Sequence, residues 1–161
     1  MVNATVPNNA ACGLRIKRRP PFHAVLVYED LTCGEHARDF YERLTRRFDG
    51  DFDFSHLMFS FSVLGTRKAL QLAASSAARA NLVILSFTGN TELPANVKDW
   101  VERWVSLLAD SQHSAFVTLT DHQTPARTSL ASHTYLRRIV EPRKIDFLPH
   151  YSSSRRRIYS E

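Results

Sequence analysis

Residues Ser86–Glu92 read SFTGNTE, three hydroxyls and an amide gathered around one glycine. Thr88, Gly89, Asn90 and Thr91 offer backbone N–H groups and side-chain donors in a run short enough to close around an anion. A turn followed by a helix cap would use the same letters without any ligand. Upstream, the run VLVY ends on Glu29 and Asp30. Adjacent carboxylates are hard oxygen ligands suited to Mg²⁺, and Asp121 is the acid that would supply a third. Acids ending a strand are equally at home solvated or paired with Lys or Arg. Ser86, His150 and Asp30 make a nucleophile, base and orienter on paper. No Gly-x-Ser-x-Gly elbow surrounds Ser86, so hydrolysis is not expected.

The elements around these residues alternate. HAVLVYED (23–30) is a continuous apolar run ending in acids, as in a strand buried on both faces. From Gly34 to Phe48, Ala37, Phe40, Tyr41, Leu44 and Phe48 share one helical stripe. FSHLMFSFSVL (54–64) is strand-like, and Thr66 is a suitable N-cap for an alanine-rich helix reaching about Ala80. NLVILSF (81–87) is a third strand, after which Val97, Trp100, Val101, Trp104, Val105 and Leu108 recur at spacings of three and four. SAFVTLTD (114–121), a helix around Leu130–Val140, and KIDFLPHY (144–151) complete the order. Strands alternating with helices imply a three-layer α/β/α domain with a five-stranded parallel sheet, order 2-1-3-4-5. Chemistry in such a sheet gathers outside the carboxyl ends of the strands, where Ser86–Thr91 falls.

A chain of 161 residues, 43% hydrophobic and 23% charged, suits one globular domain. Residues 1–21 carry a basic cluster and no periodicity, and are expected to form a flexible N-terminal arm; residues 152–161 form a basic tail. The net charge of +5 is concentrated there, in Arg15, Lys17, Arg18 and Arg19 and in Arg155, Arg156 and Arg157. Those termini leave nucleic-acid contact open, although no aromatics interleave with them. No run is apolar enough to span a membrane and no signal-peptide pattern opens the chain, so a cytoplasmic location is expected. Cys12 and Cys33 are expected as free thiols. Seven histidines form no ligand spacing for zinc and are read as single surface residues. Trp100 and Trp104 are expected in the core.

Two resemblances add to this. SFTGNT is similar to the Ser/Thr-x-Thr-Gly-Asn-Thr loop that wraps the FMN phosphate in flavodoxins, and so implies a cofactor or anion held by Ser86, Thr88, Gly89, Asn90 and Thr91. The flavodoxin loop follows the first strand, whereas this one follows the third, and no tightly bound FMN is expected. Over residues 22–151 the chain resembles a response regulator receiver domain. VLVYED is similar to that family's first strand, with Glu29 and Asp30 at its Mg²⁺-holding acids. ARANLVILS resembles its third strand, VTLTD its fourth with Thr120 at the terminal Ser/Thr, and KIDFLPHY its fifth. The departures bear on function: the phosphate-accepting Asp falls on Ser86, the Lys on His150, and the following Pro on Tyr151. A serine hydroxyl is a poor nucleophile without an activating base. The resemblance therefore implies a non-phosphorylatable signalling or protein-interaction module, not an enzyme, with no resident cofactor. It would present strands 4–5 and the intervening helix to a partner protein or a second copy. The alternative is a flavodoxin-like binder of FMN or another anion through Ser86–Thr91.

Overall fold

The computed structural model describes residues 18–120 and 127–151. Residues 1–17 of the expected arm (1–21), the tail (152–161) and Asp121 lie outside them, and Pro21, the last residue of that arm, opens the first strand. The chain order is β1 (Pro21–Tyr28), α1 (Leu31–Arg47), β2 (Asp53–Ser60), a 3₁₀ turn (Val63–Gly65), α2 (Arg67–Ala78), β3 (Leu82–Phe87), α3 (Ala95–Leu107), β4 (Ala115–Thr120), α4 (Arg127–Val140), a 3₁₀ turn (Glu141–Arg143) and β5 (Asp146–Tyr151). All strand pairs are parallel, and the sheet runs β2-β1-β3-β4-β5. The expected topology is the one observed.

Right-handed crossovers decide where the helices go. The step from β1 out to β2 runs opposite in direction to the three later steps. Accordingly α1 is, among the described residues, the helix on one face, with Ala37 and Tyr41 over Ala24, Leu26, Leu82 and Ile84. The larger core lies on the other face, where α2, α3 and α4 cover Val25, Val27, Val83, Leu85 and Phe116. β3 is buried at all of its six positions, as expected of a central parallel strand. Ala73, Ala74 and Ala77 are fully buried, and their small side chains let α2 sit close to its neighbours. Trp100 and Trp104 are both 0% exposed and stack with ring centroids 5.5 Å apart, and Trp104 meets Phe116 edge-on at 5.1 Å.

Some boundaries differ from expectation for local reasons. β1 ends at Tyr28, so Glu29 and Asp30 lie beyond the strand, and Asp30 caps α1 through Cys33 N–H at 2.9 Å. Phe48 is the C-cap of α1 and is 40% exposed, so it leaves the predicted stripe. β2 stops at Ser60, because Ser62–Thr66 closes into the 3₁₀ turn before the Thr66-capped helix. Cys33 is a free, buried thiol. None of the helices among the described residues is long and apolar enough to cross a membrane.

Candidate functional site at the carboxyl edge of the sheet

β1 and β3 lie side by side, and Glu29 N–H donates to Ser86 C=O at 3.0 Å as the chain leaves the sheet. This pairing places the Glu29 side chain against the next turn of chain. Thr88 N–H donates to Glu29 Oε1 at 2.8 Å and the Thr88 hydroxyl donates to the same oxygen at 3.1 Å. Asn90 N–H in turn donates to Thr88 Oγ1 at 3.3 Å. Gly89 takes φ of 84°, a left-handed conformation that a side chain would strain. A carboxylate oxygen thus occupies the position where Thr88 would meet an anion, and charge-assisted hydrogen bonds of this kind are the stronger ones.

The neighbouring acid has a different partner. Asp30 accepts from Cys33 N–H and serves the helix terminus. Burial, followed in effect by Asp30 and Glu29, pushes the Cys33 thiol up to about 12. It is a packed thiol, far from the thiolate that nucleophilic chemistry requires. Among the described residues no group of three or more His, Cys, Asp or Glu side chains is arranged to hold a metal ion.

Ser86 belongs to β3 and does not open the loop; it is 1% exposed and lies on the α1 face. Its register partner in β4 is Leu119, and the partner of Leu119 in β5 is His150. Ser86 and His150 therefore share a face but stand two strand spacings apart, roughly 10 Å. His150 is exposed and lies against Phe40, with the rings tilted and their centroids 5.7 Å apart. Thr120 pairs with Phe87 and so faces the opposite layer from Ser86; it is 1% exposed, and its hydroxyl finds no partner among the described residues. The structure brings Glu29, Ser86 and Thr88 together and leaves Thr120 and His150 apart from them.

One polar cluster escaped the sequence reading. His133 on α4 is 6% exposed, not a surface residue. Its Nδ1 lies 2.8 Å from Ser129 C=O, which can only accept, so Nδ1 carries the proton. The other nitrogen, Nε2, then accepts from the Thr118 hydroxyl at 2.9 Å. Phe87, Phe147 and Tyr151 ring it, with centroids 5.8, 6.1 and 5.5 Å away. The i, i+4 relation of Ser129 to His133 was visible in the sequence; the contact with Thr118 required the β4–α4 packing.

Burial, with a smaller contribution from the Arg137 charge, holds the His133 pKa below its ordinary 6.5. The unfolded chain therefore takes up a proton near pH 6.5 while the native state resists it. Stability is complete above 6.5 and falls as the pH drops from there toward the native value. His133→Gln is expected to flatten the dependence of melting temperature on pH in that window. An unchanged slope in the variant would refute the assignment.

A separate open cleft of about 840 Å³ lies between the start of α2 and α3, with Thr66, Arg67, Asn96, Asp99 and Arg103 on its walls. It includes neither Glu29 nor the Thr88 loop.

A parallel sheet in this order, with its loops converging at the β1/β3 switch point, defines a flavodoxin-like α/β domain. No family model and no curated protein matches the chain. Among solved structures it is similar to a flavodoxin from Streptococcus pneumonia TIGR4, with a TM-score of 0.51 and 16% identity over 83% of this chain and 88% of that one. At that identity the likeness is one of fold.

Proposed function

We propose that the chain is a receiver-like interaction module that performs neither phosphotransfer nor flavin chemistry, and that acts by presenting a surface to a partner protein or a second copy. The observation that carries this reading is the Glu29 carboxylate on the Thr88 N–H and hydroxyl. Those donors are the ones an FMN phosphate would need, and the same carboxylate is one of the two acids a receiver would turn toward Mg²⁺. Asp30, the other acid, caps α1. Ser86, the residue that the sequence resemblance aligns with a receiver's phosphate-accepting carboxylate, is buried and uncharged. With the Thr88 donors taken by Glu29, recognition falls to the outer surfaces. The α4–β5 surface supports this: Leu130 is 51% exposed, and the Arg137 guanidinium lies 4.9 Å from the centre of the Phe147 ring.

Two titrations test the reading. Incubation with a small phosphodonor and Mg²⁺ should leave the intact mass unchanged, and added FMN should keep its fluorescence. Incorporation of one phosphoryl group would restore ordinary receiver chemistry. Saturable quenching of FMN that disappears in Thr88→Ala would make the flavodoxin-like alternative the better one.

A further inference from the structure

The two edges of the sheet are built differently. At the β2 edge, Asp53 N–H donates to Pro20 C=O at 2.8 Å and Phe61 N–H to Tyr28 C=O at 2.7 Å. Successive backbone groups alternate in direction along a strand, so the odd-numbered residues between these two bonds face β1. Phe54, His56, Met58 and Ser60 therefore turn their N–H and C=O groups outward. The strand holds no proline, glycine, lysine or arginine, and Leu57 at its centre is 49% exposed. At the β5 edge, Asp146 N–H donates inward to Ser114 C=O at 3.2 Å, which leaves Phe147, Pro149 and Tyr151 facing outward. Pro149 removes a donor from the middle of that edge, a common protection against strand addition. Among the described residues β2 has no such protection.

We infer that β2 pairs with β2 of a second copy, antiparallel across a two-fold axis, to join two five-stranded sheets into one. Opposed residues in an antiparallel pair must lie on the same face, and outward-facing residues must meet outward-facing ones. The register that puts Leu57 opposite Leu57 of the second copy meets both conditions. It sets His56 against Met58 and Phe54 against Ser60, and each combination occurs twice by symmetry. Every outward N–H and C=O of the strand then has a partner. The Leu57 pair is a non-hydrogen-bonded one, in which side chains approach most closely, about 4.5 Å between Cα atoms. A cavity of about 220 Å³ lined by His23, Val25, Leu57 and Arg79 opens beside it and gives the incoming leucine apolar surface. The only formally charged residue of the strand, Asp53, falls at the rim opposite Phe61, so the dyad opposes no like charges. An isologous contact of this kind closes as a dimer and does not propagate. This inference concerns the β2 edge alone; it is independent of the chemistry at the carboxyl edge and leaves the α4–β5 surface free.

Sedimentation velocity at rising protein concentration should show a species of one chain's mass converting to one of twice that mass. Met58→Pro should abolish the dimer while keeping the monomer folded, since the Met58 N–H makes no bond within its own sheet. Leu57→Lys, which needs no backbone change, should weaken it at least tenfold. The register has its own test: in a Cys12→Ser background, mild oxidation should cross-link Leu57→Cys to its copy and leave Ser55→Cys monomeric. A chain that stays monomeric at every concentration, or a dimer undiminished by both edge variants, overturns the proposal. Uptake of phosphate or FMN would change the functional reading and leave this result untouched.

Discussion

Trp104→Ala should lower the free energy of unfolding by about 3–5 kcal/mol, the range for truncating a large aromatic in a packed core. Against a total of about 5–15 kcal/mol for a domain of ordinary stability, that is a large share. The indole is fully buried, stacked on Trp100 and edge-on to Phe116, so its removal leaves a void bounded by two other rings and the sheet. Its N–H has no hydrogen-bond partner among the described residues. A buried unpaired donor costs about 1–3 kcal/mol of desolvation, so part of the packing gain is already offset in the wild type. Trp104→Phe should cost much less than Trp104→Ala: both variants remove the unpaired donor, but phenylalanine keeps most of the ring packed against Trp100 and Phe116. Urea denaturation of the three proteins at constant m-value measures the difference. A Trp104→Ala loss below about 1 kcal/mol would mean that the helix collapses into the space, contrary to the rigid packing described.

Glu29→Ala should change both stability and ligand behaviour. Hydrogen bonds to a charged group contribute about 1.5–3 kcal/mol, and Thr88 makes two of them to one carboxylate oxygen. The loss should sit near the lower end, because water reaches the partly exposed Thr88. Glu29→Gln, which keeps an acceptor in place, should lose less. Removing the carboxylate also frees the Thr88 donors and takes away a like charge, so the alanine variant should gain an anion site. Inorganic phosphate is then expected to raise the melting temperature of Glu29→Ala and leave the wild type and Glu29→Gln unmoved. An equal rise in the wild type would show that the loop accepts anions with Glu29 present, and would count against Glu29 as the occupant of the Thr88 donors.

What could be read from the sequence is what local periodicity encodes. The central strand LVILSF, buried at every position, and the Val97–Leu108 stripe of α3 needed only their own residues to announce themselves, and Thr66 announced its helix as a cap. Connection rules then converted the alternation of strands and helices into the observed strand order, since right-handed crossovers allow few arrangements. Those same letters also carried the limits of the site: no acid stands at Ser86, whatever surrounds it.

The tertiary structure decided everything that depends on residues far apart in the chain. Glu29 and Thr88 are 59 positions apart, and only the parallel pairing of β1 with β3 makes the carboxylate the occupant of the loop. Ser86 and Thr120 both end up at the carboxyl edge, yet the one-residue offset in the β3–β4 register sends them to opposite faces. The same alternation turned His133 into a buried partner of Thr118 and determined which groups of β2 point into solvent. Side chains and hydrogen-bonding groups on a strand alternate with a period of two, so a shift of a single residue reverses the direction of each. Sequence patterns locate a strand to within a residue or two, which is enough to name the fold and too coarse to say which side chain meets which.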